Sequence, residues 1–398
     1  MAAEPARSPR NATLLDHVRA AARGMEVSGI VEVMKYGFGR DGLIPLWAGE
    51  GDLPTPDFIC DAAMRSLEAG ETFYTWQRGI PELRMALARY HATHYGIAPD
   101  PERFCITASG MHAIALAFAL TLDPGDEVII PSPSWPNAGA AANAAAARPM
   151  FVPMTLGANG VSLDLDRLAD AVGRRTRAIF LNSPGNPTGW VASRADLAAV
   201  LTLARKHGLW IVADEVYGRF YWGEGARAPS FHDVMEPGDR VLFVNTFSKN
   251  WAMTGWRIGW IEADPSLGQV IENLIQASTS GVAVFMQRAA VVALEGGEGF
   301  VAHQVERARR GREIVATLAG TGRIRLAPPA GAFYQLLAID GELDSRALAF
   351  RLIDEANIGL APGTAFGPGA EQHLRLCFSR SAESLGEAVD RLTAWLKQ

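Results

Sequence analysis

Val241-Leu242-Phe243-Val244-Asn245-Thr246-Phe247-Ser248-Lys249, continued through Asn250-Trp251-Ala252-Met253-Thr254-Gly255-Trp256 to Arg257, organises the reading of the whole chain. Val241 to Val244 is a β-branched and aromatic run that reads as a buried strand and ends directly in a polar cluster. A lysine among hydroxyls, followed eight residues later by an arginine, puts an amine and a cationic fork on one loop. Such a pair suits a phosphorylated aldehyde, which needs a nucleophile for its carbonyl and donors for its phosphate. Taken alone, the segment reads equally well as an ordinary basic loop at a strand end.

Upstream of this stretch the pattern alternates between strand and helix. Cys105 to Ala108 is strand-like, and Ser109-Gly110-Met111-His112 turns into an Ala/Leu/Phe helix ending near Leu122. Strands follow at Glu127 to Ile130, Ala178 to Asn182 and Trp210 to Ala213, the last closing on Asp214. Ser193 to Asp196 looks like a helix start with Ser193 as N-cap and an acid three residues on, and Gly208 stops that helix. Alternation of this kind predicts a mostly parallel sheet covered on both faces. Helices are also expected from about Asp57 to Ala69 and from Pro81, which suits a first helical turn. Leu14 to Tyr36 is helix-compatible, interrupted at Gly24 and Gly29.

Beyond Gly299 the pattern changes. Val301, Val305, Ala308, Val315 and Leu318 mark one face of a long helix, with Glu306/Arg310 and Arg309/Glu313 pairs outside. A strand at Ala332 to Leu337, a helix at Ser345 to Ala356, a strand at Leu374 to Phe378 and a helix at Ser384 to Leu396 complete an α+β tail. The expected division is a flexible arm over residues 1–13, a small domain from 14–50 and 297–398, and a large domain over 51–296.

The 398 residues are 48% hydrophobic and 20% charged with net charge −6, the composition of a globular enzyme rather than of a nucleic-acid binder. No apolar run reaches the length of a membrane span, and the N-terminus lacks the apolar core of a signal peptide. Cys60, Cys105 and Cys377 are widely spaced and read as reduced, structural residues of a cytoplasmic protein. Gly37-Phe38-Gly39-Arg40-Asp41-Gly42 is a literal GxGxxG, but a helical segment precedes it where a dinucleotide site needs a strand, so the match is accidental. His91 and His94, three apart on a helix with no acid or cysteine completing a set, read as a surface helix rather than a metal site. Arg307, Arg309, Arg310 and Arg312 read as a solvated face.

Four polar groups stand at carboxyl ends of strands, the edge along which open α/β sheets bind ligands. Ser109-Gly110-Met111 opens a helix whose free amides and dipole suit a phosphate. Asn182-Ser183-Pro184-Gly185-Asn186-Pro187-Thr188-Gly189 fixes an asparagine amide between prolines. Asp214 closes an apolar strand, where a carboxylate either caps a following helix or calls for a cationic partner such as a protonated pyridine nitrogen. The fourth is the Thr246-to-Lys249 loop.

The Asn182–Gly189 loop, Asp214-Glu215-Val216-Tyr217, Ser248-Lys249 and Thr254-Gly255-Trp256-Arg257-Ile258-Gly259 together resemble the class I/II aminotransferases of the aspartate aminotransferase superfamily. The likeness runs from about Gly49 to the C-terminus. It implies the fold-type I α/β architecture, with a large, mostly parallel seven-stranded sheet sandwiched by helices plus a smaller α+β domain. It also implies pyridoxal 5'-phosphate as cofactor, and ping-pong transfer of an amino group from an L-α-amino acid to a 2-oxo acid.

Carried onto matching positions, the resemblance makes Lys249 the residue that bonds the cofactor aldehyde and later moves the proton. Asp214 pairs with the pyridine nitrogen, while Asn186 and Tyr217 hydrogen-bond the ring's phenolic oxygen and Trp135 stacks on the ring. Arg257, Thr246, Ser248 and the Ser109, Gly110, Met111 turn hold the phosphate, with Tyr74 reaching in from the second subunit of a homodimer. Arg375 grips the substrate's α-carboxylate, beside the flexible Gly49. The resemblance implies neither a nucleic-acid nor a membrane partner.

The chain also departs from the family. Met111 stands where many relatives carry Lys, Ser or Thr, and Ser134 replaces a common Tyr. Residues 276–285 lack the arginine that reads a second carboxylate in the dicarboxylate-specific branch. Other chemistries on the same cofactor, such as C–S β-elimination, decarboxylation or cyclisation, share the cofactor set. A ligand-sensing regulator would need a DNA-binding module ahead of the domain, and only about fifty residues, without a helix-turn-helix pattern, precede it. Trp76, Phe285 and Phe366 are candidates for the substrate pocket.

Overall fold

The computed structural model describes residues 13–397, so the arm expected at 1–13 lies, but for Thr13, outside the described residues. A seven-stranded sheet forms the centre. In chain order its strands are β1 (Phe104–Thr107), β2 (Glu127–Ser132), β3 (Arg148–Pro153), β4 (Thr176–Asn182), β5 (Trp210–Asp214), β6 (Val241–Thr246) and β7 (Gly259–Glu262). They lie side by side as β1-β7-β6-β5-β4-β2-β3. All pairings are parallel except those of β7, which runs antiparallel to both β1 and β6. Period-two alternation sends Val128, Phe180 and Val212 into one apolar layer and Ile129, Ile179 and Ile211 into the other. Both faces are therefore covered, as parallel sheets require.

Two of these strands are absent from the sequence expectation. β3 is partly exposed and contains two prolines, so it lacks an apolar signature. β7 is short and follows the Arg257 loop. Its Gly259 pairs with Thr246, and a side chain there would lie 2.6 Å from the Asn245 carbonyl oxygen and 2.9 Å from the Gly110 amide nitrogen. Glycine is what lets the Lys249 loop close against the start of the Gly110 helix.

The cap at Ser193 is as expected: its hydroxyl accepts from the Asp196 amide (3.1 Å), while the Asp196 carboxylate accepts from the Ser193 amide (2.9 Å). Gly208, at φ +66°, ends that helix in the left-handed region.

A second, antiparallel sheet contains β8 (Ile324–Ala327), β9 (Tyr334–Ile339), β10 (Ala361–Pro362) and β11 (His373–Cys377), ordered β8-β9-β11-β10. Its core extends to Val33, Leu46 and Trp47 near the start of the chain and to Leu385 and Leu392 near its end. Of the expected early helix only Ala20–Arg23 and α1 (Gly29–Gly37) are α-helical. None of the described helices is long and apolar enough to cross a membrane. Cys60, Cys105 and Cys377 are all free thiols.

Three expectations are corrected. Arg310 pairs with Glu306 as expected (3.1 Å), but Arg309 also turns to Glu306 (3.8 Å) rather than Glu313. Arg307 leaves the solvated face to pair with Asp52 at 2.8 Å, tying the long helix to the loop after Gly49.

The third correction concerns α2 (Pro81–Tyr95), which is not a surface helix at His91. That side chain is 1% exposed, and its Nδ1 lies 3.0 Å from Glu262, an acid 171 residues away that reaches it only through β7. Glu262 also meets His232 at 3.1 Å and Arg103 at 2.8 Å. The Arg103 guanidinium already supplies the charge a bound cation would bring, so the cluster is a buried ion-pair network. Burial alone would raise the Glu262 carboxyl, yet His91 and His232 hold it well below the usual range. Burial depresses His91. Both shifts have one sign: stability is present above the unfolded pKa values and is lost as pH falls from about 6.5. Glu262→Gln should destabilise the fold by about 1–3 kcal/mol, because the shared negative charge is lost and one of the two oxygens facing Arg103 and the imidazoles becomes a donor. Urea unfolding at neutral pH measures this, and an unchanged midpoint would refute it.

Candidate functional site

The carboxyl ends of β4, β5 and β6 and the start of α3 (Gly110–Thr121) converge on a cavity of about 450 Å³. The second sheet closes it from the far side with Tyr334 and Arg375.

At the end of β6, the Thr246 hydroxyl donates to Ser248 Oγ (2.9 Å) and lies 3.1 Å from the Ile258 carbonyl. Facing it, the Ser109 hydroxyl caps α3 by accepting from the His112 amide (3.1 Å). That leaves the Gly110 and Met111 amides in a first turn that has no internal acceptor for them. Ser109 at φ +135° and Arg257 at φ +53° both occupy backbone regions that side chains disfavour, a strain that concentrates at functional sites. The turn at Arg257 brings its guanidinium to the cavity, with Nη1 donating to the Thr254 carbonyl (2.6 Å).

Lys249 reaches across the cavity. Its Nζ donates to the Gly49 carbonyl at 2.8 Å and stands 5.8 Å from the centre of the Tyr217 ring. Burial lowers its pKa to about 8, bringing the free amine within reach at neutral pH. Gly49 is needed as glycine, because a Cβ there would lie 2.5 Å from the Tyr334 hydroxyl.

Asp214 and Arg375 are opposite charges without partners. Asp214 is 3% exposed, and its one described contact is a 3.4 Å acceptance from the Val216 amide. Burial pushes its pKa up to about 7. Arg375 is 2% exposed; it donates to Asn186 Oδ1 (3.0 Å) and to the Trp47 carbonyl, while its Nε has no partner. Among the described residues no carboxylate pairs with either Arg375 or Lys249. Aromatic faces of Tyr334 and Phe366 flank the guanidinium at 4.6 and 4.9 Å. A ligand that carries a cation to Asp214 and an anion to Arg375 would complete both.

Trp135 also lines the cavity, at the N-cap of the helix Pro136–Ala144. Tyr74 does not. It is 94% exposed on the outer surface, beside Trp76 in a separate groove. Of the other pocket candidates, Phe366 is buried behind Arg375 and Phe285 packs into the core under the Lys249 loop.

Two residues of the site receive no role from the sequence, although Asn182 opens the asparagine loop quoted above. Asn182 ties the asparagine loop to β5, its side chain donating to the Asp214 carbonyl (3.1 Å) and accepting from the Asn186 amide (2.8 Å). Tyr334 is a single tyrosine in an apolar strand until its hydroxyl meets that of Tyr217 at 2.7 Å, across 117 residues of sequence.

A sequence profile described as aminotransferase class I and II matches residues 41–392. An aspartate aminotransferase from Pyrococcus horikoshii is 33% identical, over 92% of this chain and 93% of its own length. An arginine–pyruvate transaminase from Pseudomonas aeruginosa is 36% identical, over 88% and 89%. Among solved structures, a single mutant of Thermus thermophilus aspartate aminotransferase superposes with a TM-score of 0.88 at 34% identity, covering 95% of this chain and 99% of that one.

Proposed function

Since this chain belongs to the class I and II aminotransferases, and so moves amino groups between amino and oxo acids with pyridoxal 5'-phosphate, we propose a role for each side chain of the cavity. The residues present fit the cofactor: an uncompensated buried acid stands at one end and a strained, amide-lined cradle at the other. When bound, pyridoxal phosphate supplies an electron-accepting ring that takes up the pair left on the substrate's α-carbon.

Lys249 would supply the amine for the cofactor's aldehyde when that group is bound, and its Nζ is the atom that would carry the proton to and from the substrate's α-carbon. Asp214 holds the proton on the pyridine nitrogen. The Asn186 side-chain oxygen is already engaged by Arg375, so its amide nitrogen is free to donate to the phenolic oxygen. The Tyr217 hydroxyl donates there too, and burial pushes its pKa well above the ordinary phenol, keeping that proton in place. Trp135 stacks on the ring. Arg257, Thr246, Ser248, Ser109 and the Gly110 and Met111 amides hold the phosphate. Gly49 gives the substrate room beside Arg375, which grips the α-carboxylate.

Tyr74 acts across a homodimer. Phe73 at 83%, Tyr74 at 94% and Trp76 at 68% exposure form an apolar surface suited to a second copy. The large domain, 51–296, holds the cofactor, and 14–50 with 297–398 brings Arg375 over it. Three free thiols fit a reducing cytoplasm.

The single observation that carries these assignments is the buried guanidinium of Arg375 without a carboxylate. Arg375→Lys removes the fork while keeping the charge. Loss of this buried charge-assisted contact should cost about 2–5 kcal/mol in kcat/KM, mostly through KM, with the bound cofactor's absorbance unchanged. A KM for the amino donor within threefold of the parent enzyme would refute the role.

A further inference from the structure

The wall of the cavity left over after these assignments is uncharged and mostly apolar, with Ser28 and Asn137 among its polar exceptions. Three cationic side chains line it, Lys249, Arg257 and Arg375, and one acid, Asp214. On the proposed reading of the site, on which this inference rests, all four are occupied by the cofactor and the substrate's α-carboxylate. No fourth cation lines the cavity among the described residues. What remains of the lining includes Ile30 and Val31 from the first turn of α1 with Ser28 before them, Trp47, the Met111 side chain and Asn137, none of them charged. The N-terminus of α1 offers no free anion site at Val31, whose amide is capped by the Ser28 hydroxyl at 3.5 Å. Residues 276–285 add neither Arg nor Lys.

We infer that the donor is an L-amino acid with an uncharged, apolar side chain, received against Ile30, Val31 and Met111. A second carboxylate placed there would shed part of its water and gain no counter-ion, and a terminal ammonium or guanidinium would find no free acid. Both penalties fall on the charged donors alone. Apolar contact rewards the rest, at about 1–3 kcal/mol per well-placed methylene.

The test is the rate at which the cofactor absorbance of the holoenzyme bleaches on mixing with single donors. L-Leucine, L-methionine and L-phenylalanine should each exceed L-aspartate, L-glutamate, L-lysine and L-arginine tenfold or more in the apparent second-order constant. Aspartate, glutamate, lysine or arginine reacting as fast as the apolar set would overturn the inference and leave the roles of Lys249 and Asp214 standing. Silence with every donor would bring down those roles and the inference together. Val31 is an exposed helix residue, so Val31→Arg should fold. It should raise the aspartate-to-leucine ratio tenfold or more, and an unchanged ratio would show that the donor side chain does not meet this wall.

Discussion

Lys249→Ala is expected to lower steady-state transamination by about 10⁴-fold or more, while cofactor is still retained without its covalent bond. The magnitude follows from what one atom does: positioned proton transfer alone contributes roughly 10²–10⁴-fold, and the same Nζ is the amine for the aldehyde. Retention follows because the phosphate cradle at Ser109, Gly110, Thr246 and Arg257 is a separate set of contacts on the cavity wall. Coupled assays and the absorbance of purified variant measure the two halves separately, and turnover within tenfold of the parent would sink the assignment. A pH dependence accompanies it. With its pKa near 8, Lys249 is mostly free amine above that pH. Covalent capture of the aldehyde by cofactor-free enzyme should therefore rise with pH and level off just past 8. Capture still climbing at pH 10 would mean an amine with an ordinary pKa.

Asp214→Asn should cost about 3 kcal/mol in the half-reaction with an amino donor, the scale of one preorganised electrostatic contact. Asparagine keeps the shape and the Val216 contact but cannot hold a proton on the pyridine nitrogen. Stopped-flow bleaching measures the loss, and a rate within threefold of the parent would count against the electron-sink role. The sign of the linked stability is fixed by the raised pKa of about 7. Stability contributed by a carboxyl raised in the folded state is present below its unfolded value near 4 and disappears as pH rises through 7. In cofactor-free enzyme the Asp214 contribution to thermal stability should thus fall between pH 5.5 and 7.5, against the opposite slope of His91 and Glu262. Asp214→Asn should flatten that slope, and so should bound cofactor, by giving the carboxylate its cation.

The residues on which these two predictions turn were legible in the sequence for a physical reason. Asp214 closes one apolar strand and Lys249 stands three residues past the end of another, and a charged group at the edge of a buried run demands an explanation that local chemistry can supply. Strand–helix alternation likewise gave the sheet its class, and Ser193 with Asp196 marked a helix start through contacts three residues apart. β7 and β3 escaped because one is only four residues long and the other lies partly exposed at the sheet edge with two prolines.

Contacts between distant residues were not legible. His91 reads as a surface residue until β7 delivers Glu262 beneath it, and the Tyr334–Tyr217 contact depends on how the second sheet docks on the turn after β5, which no local pattern encodes. The same holds for charge balance. Residue types and strand ends by themselves determined the α/β class and the polar loops at strand ends, because those follow from periodicity and from short-range contacts, while the cofactor followed from the family resemblance those loops carry. Only the tertiary structure decided that Arg375 lies buried without an anion, that Asp214 lies buried without a cation, and that Ile30, Val31 and Met111 make the remaining wall mostly apolar. Desolvation and pairing are properties of the assembled cavity, set by residues as far apart as Ile30 and Arg375, 345 positions along the chain.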